Sequence, residues 1–181
     1  MPSFGGGKDR LGKEIYQVIK NIEQDKQWID HDYFEPFCGL LGVGIHSVKD
    51  KRCVDFCDVN IDMIKMFQEL KNGWQLPEKY CSREEYKKFR LSKEHSALRG
   101  FMGISCAYSG IFFSGYRPTS ERQDFYGNTR KGLMGMFKDI SCDKITFRDA
   151  RDYREFKPKG QTIYCDPPYL NNNLQSEHFD N

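Results

Sequence analysis

The stretch Thr162-Ile163-Tyr164-Cys165-Asp166-Pro167-Pro168-Tyr169 constrains this chain more than any other. Ile163 to Cys165 is a short apolar run that reads as a buried strand, and it stops at an acid, two prolines and an aromatic. Proline cannot donate to a sheet ladder, and it holds the residue before it extended. Asp166 is therefore expected at the carboxyl end of a strand, with Tyr169 projecting from a stiff turn. Open α/β sheets bind their ligands at that edge. A rigid carboxylate, carbonyl acceptors and a flat ring suit a planar base that carries an exocyclic amine. A strand followed by a proline turn is also common, so the remaining residues must decide.

Composition narrows the choice. With 181 residues the chain is long enough for a domain with a true core. Its net charge is only +2, so nucleic-acid binding would have to rest on local patches. The seven cysteines include no CxxC pair, and Cys53 and Cys57 lack a nearby histidine to complete a zinc set. No metal is expected. Cys53, Cys57 and Cys165 stand in apolar runs and read as reduced core residues. No secretory leader and no membrane-length apolar run is seen, so the expected setting is intracellular, without a membrane partner.

Along the chain, Phe4-Gly5-Gly6-Gly7-Lys8 lets the backbone approach a ligand and adds a cation before a helix. Leu11, Ile15, Val18, Ile19 and Ile22 mark that helix by their spacing. Tyr33 to Gly44 reads as a strand end, a glycine turn and a helix entry, which sets backbone amides beside a nucleotide-like ligand. Some twenty residues on, Cys53 to Asp58 reads as a second strand, and its terminal acid is positioned to grip a ribose hydroxyl pair. The plainer reading, in which Asp58 or Asn60 caps the next helix through Met63, Ile64 and Phe67, is compatible with that role.

Residues 64–138 differ in character. Seven cations face three acids between Lys79 and Arg99, an apolar glycine-dotted run spans Phe101 to Tyr116, and Arg117, Arg122, Arg130 and Lys131 alternate with Phe125 and Tyr126. Cations beside rings suit phosphate contact with occasional stacking, although such a run is often only a solvated helix face. Sheet rhythm returns at Ile145-Thr146-Phe147. Asp152 then stands either to accept from an adenine amino group or to pair with Arg151 or Arg154.

In their order, Phe-Gly-Gly-Gly-Lys, Glu35-Pro36-Phe37-Cys38-Gly39, Asp58-Val59-Asn60, the basic insert, Asp152-Tyr153 and Asp-Pro-Pro-Tyr resemble the adenine-specific DNA methyltransferase family that includes bacterial DNA adenine methylase and related phage enzymes. The resemblance spans roughly residues 4 to 180. It departs from the family's glycine turn, with Leu41 where a glycine is expected and Gly42 one position later. It implies an α/β, Rossmann-like fold that uses S-adenosylmethionine and acts on double-stranded DNA in the cytoplasm. Residues 1–63 would form the cofactor part, 64–138 a mainly helical target-recognition insert, and 139–181 the return with the catalytic motif. By position, Phe4, Lys8, Glu35, Phe37, Gly39, Asp58, Asp152 and Asp166 would line the cofactor. Asp166, Pro167, Pro168 and Tyr169 would be catalytic, and Arg117 and Arg122 would touch DNA. Because the chain stops soon after Tyr169, a non-catalytic cofactor- or DNA-binding remnant is the second expectation.

Overall fold

The computed structural model describes residues 10–28, 31–118, 124–138, 140, 143–149 and 153–167. In chain order the elements are α1 (Gly12–Asp25), β1 (Asp32–Glu35), α2 (Ile45–Lys49), β2 (Val54–Asp58), α3 (Ile61–Lys71), α4 (Arg83–Leu91), α5 (Ala97–Ser105), α6 (Phe125–Lys138), β3 (Ile145–Asp149) and β4 (Gln161–Ile163). The four strands form one parallel sheet in the order β3-β2-β1-β4. This is an α/β architecture compatible with a Rossmann-like fold. The chain steps outward from β1 to β3 and then crosses back to set β4 on the other side of β1. That reversal makes a topological switch point between the carboxyl ends of β1 and β4, where α/β sheets open a crevice.

Alternation along the strands builds the core. Tyr33, Val54, Phe56, Ile145 and Phe147 belong to the main buried cluster, whereas Phe34 and Cys57, one step out of phase, pack with Phe156 in a second small one. The Phe56, Phe147, Phe67 and Phe137 rings lie 5.4–5.8 Å apart in succession, carrying the core from β2 and β3 through α3 to α6. The insert is therefore continuous with the sheet's own core. Asp62, in the first turn of α3, fastens it further: its buried carboxylate accepts from the Ser96 amide at 2.8 Å and pairs with Arg99. Gly100 is required where α5 crosses α3, because a Cβ there would run into the Asp62 carbonyl. The residue-63 boundary expected from the sequence falls inside α3.

Two local expectations are corrected. The helix marked by Leu11 to Ile22 forms, but Leu11, Val18 and Ile22 are exposed. Its contact face is Gly12, Tyr16, Ile19 and Glu23, because Gly12 abuts the Gly42 carbonyl, Tyr16 packs on Tyr33, and Glu23 takes an ion pair with Arg52. The segment Ile163 to Cys165 is not a buried strand. β4 has β1 as its one partner strand among the described residues, so Ile163 is 46 % exposed and Cys165 is exposed, while Cys53 is half-buried and Cys57 fully buried. Among the described residues, no helix is long and apolar enough to cross a membrane.

Candidate functional site

β1 ends on Glu35 and runs into a loop that folds over the end of β2. The Cys38 amide donates to the Cys57 carbonyl at 2.9 Å, extending the β1–β2 ladder by one rung. The next amide, Gly39 N–H, donates to Asp58 Oδ2 at 2.9 Å, and Asn60 N–H donates to Asp58 Oδ1 at 2.9 Å. Asn60 in turn caps α3 by accepting from the Met63 amide at 3.2 Å. Asp58 thus pins the loop, and the cap falls to Asn60. With the Val59 amide as a third donor, the Asp58 carboxylate keeps about one of its roughly four acceptor sites for a ligand hydroxyl.

The turn itself needs two left-handed residues, Gly39 (φ +47°) and Leu41 (φ +62°). Gly39 meets nothing within 4 Å of a would-be Cβ, so its conformation is the constraint. Leu41 takes the glycine-like conformation without being glycine, at a cost of about 1–2 kcal/mol. Its side chain is fully buried in the main core, which offsets that cost.

Glu35 lies beneath this loop, 3 % exposed, with Oε2 accepting from the Tyr33 hydroxyl at 3.3 Å. Burial pushes its carboxyl well above the usual range; the Tyr33 hydroxyl and the Gly44 amide oppose this, and the nearby Asp166 and Asp58 charges add to it. Gly44 must be glycine, because a Cβ would strike both Oε2 of Glu35 and the Phe56 ring. Asp58 is also raised by burial, against the amide bonds from Asn60, Gly39 and Val59. The Cys38 thiol is pushed up by burial and by the same two acids, Asp58 and Glu35.

Asp166 follows β4 closely. The last ladder bond is Tyr164 N–H to the Phe34 carbonyl at 3.0 Å, two residues before it. Asp166 is half-buried and Pro167 exposed. The fold thus gathers Glu35, Phe37, Gly39, Asp58, Asp166 and Pro167 along the carboxyl edge, on loops that follow β1, β2 and β4. Phe4, Lys8, Asp152, Pro168, Tyr169 and Arg122 lie outside the described residues. Arg117 belongs to the insert, with its guanidinium 4.5 Å from the Phe125 ring centroid and its carbonyl accepting from the Tyr80 hydroxyl. Tyr126, grouped by sequence with that cationic stretch, is buried and donates to the Pro77 and Lys79 carbonyls. Among the described residues, no set of three His, Cys, Asp or Glu side chains is arranged to hold a metal ion.

Tyr33, Cys38 and Gly44 are the site residues that sequence reasoning passed over. The signal for Tyr33 was its two-residue offset from Glu35, which sets both on one sheet face. Gly44 carried no local signal, since its constraint comes from Phe56 on the neighbouring strand. Compared with known proteins, the sequence matches no family model and no curated protein.

Proposed function

We propose that this chain is an S-adenosylmethionine-dependent DNA methyltransferase that acts on the exocyclic amine of adenine. The observation that carries this reading is the convergence of Glu35, Asp58 and Asp166 at the switch point of a parallel sheet, immediately before Pro167. The donor set fits the cofactor: Asp58 keeps an acceptor site for a ribose hydroxyl, and the cluster of acids suits a cationic group. Glu35, Phe37, Gly39 and Asp58 would hold it, and when bound it supplies an electrophilic methyl on a sulfonium.

The protein's own part is positioning. An adenine in duplex DNA is stacked and paired, so it has to be turned out into the crevice. Asp166 and the Pro167 carbonyl accept hydrogen bonds from its amino group, which draws the nitrogen lone pair out of conjugation and aims it. In this reading Tyr169 stacks on the turned-out ring. Rate enhancement then comes from orientation and fixed acceptors, with no covalent enzyme intermediate.

The test is nucleoside mass spectrometry of DNA from methylation-deficient cells that express the chain. Methyladenine that disappears in Asp166→Ala is the expected result. Methylcytosine in its place, or no methylated base from a folded chain, would overturn the reading.

A further inference from the structure

Helix α4 carries Arg83, Lys87 and Arg90 at positions i, i+4 and i+7, which share one face. With Tyr86 and Tyr116 they line a hollow of about 270 Å³ on the insert. The acids of the helix do not line it: Glu85 is engaged in the capping box with Ser82, its carboxylate accepting from the Ser82 amide at 2.7 Å. No ion pair among the described residues involves Arg83, Lys87 or Arg90. Arg83 lies over the Tyr116 ring, 5.0 Å from its centroid, and Tyr116 is itself fixed by donating to the Cys81 carbonyl at 3.1 Å. Tyr86 is 3 % exposed, and its hydroxyl is buried without a hydrogen-bond partner among the described residues. An unpaired buried hydroxyl is costly in a protein left to itself. Three cations without an ion pair among the described residues make the wall of an anion site.

We infer that this hollow seats one backbone phosphate of the DNA, held by Arg83, Lys87 and Arg90. Three cations on one helix face match the charge and oxygens of a phosphate, which is what suits the hollow to the DNA backbone. The contact fixes the duplex on the insert and reads no sequence. This inference rests on the proposal that the chain acts on DNA.

The experiment is fluorescence anisotropy of the full chain with two unrelated duplexes across a salt series. The expected result for Arg83→Ala/Arg90→Ala is about tenfold weaker binding to both duplexes, with the salt slope lowered by about one. Tyr86→Phe should leave both affinity and slope unchanged, because its hydroxyl is shut away from the hollow. Lys88→Ala, on another face of the same helix, should change neither. Wild-type binding that survives the double substitution intact would overturn the phosphate seat and leave the methyltransferase reading standing. A Lys88→Ala loss equal to that of the double variant would overturn it in favour of a diffuse cationic face. No binding by the wild type would overturn both readings together.

Discussion

The two ends of the parallel sheet treat charge in opposite ways. At the amino end, Glu23 of α1 meets Arg52 in a two-pronged pair at 2.8 and 3.1 Å, with each side chain only 12 % exposed. Arg52 also donates to the His31 carbonyl at 2.8 Å, and Thr162 of β4 donates to Glu23. One satisfied ion pair thereby ties α1 to the entrances of β1, β2 and β4. At the carboxyl end, like charges are gathered instead: Asp166 and Asp58 both push against the buried Glu35. The contrast separates a charge arrangement that holds the fold from one that burial and like charges make unfavourable. Opposite charges lock the end away from the crevice, and an electrostatically unfavourable cluster is kept where a ligand would enter.

That division can be probed by substitution. Asp166→Ala should lower methyl transfer by about 10³-fold, on the scale of losing one fixed transition-state partner, with the melting temperature unchanged. A large loss of stability would mean that Asp166 is a structural residue and would erase the contrast. Arg52→Ala leaves Glu23 buried without its partner and should cost about 3 kcal/mol, roughly 10 °C in melting temperature for a domain of this size. The protein that remains folded should keep its turnover. Loss of turnover without loss of stability would move Arg52 into the functional set.

The cluster also has a pH signature. Glu35 is raised in the folded state above its ordinary value of 4.5, so the native protein binds that proton more tightly than the unfolded chain does. Its stabilising effect is complete below about pH 4.5 and is lost as pH rises through the raised value. Glu35→Gln should remove that decline, whose steepest slope is about 1.4 kcal/mol per pH unit. Urea titrations of both proteins from pH 4.5 to 8 check it, and parallel curves would place Glu35 among solvated acids. The smallest effect is expected for Gly39→Ala, about 1 kcal/mol from the left-handed backbone alone, since no atom lies where the methyl would go. A much larger cost would show that the Gly39 amide bond to Asp58 cannot tolerate any shift of the loop.

The sequence by itself determined the elements whose signals are local. Asn60 three residues before Met63 announced the α3 cap, and the run ending in Asp58 announced β2, whereas the strand before Asp166 is Gln161–Ile163 and stops three residues short of the acid. Tertiary structure alone decided three other things. It turned Leu11, Val18 and Ile22 outward, because the α1 contact face was chosen by Gly42, Tyr33 and Arg52, far away in sequence. It merged the insert with the sheet through Phe67, Phe137 and Phe147, a stack no periodicity within one segment can disclose. And it allowed Leu41 the backbone of a glycine, since burial of that side chain depends on neighbours brought by the fold. Local propensity is written residue by residue, whereas the choice of face, strain and electrostatic company belongs to whatever the chain meets when it closes.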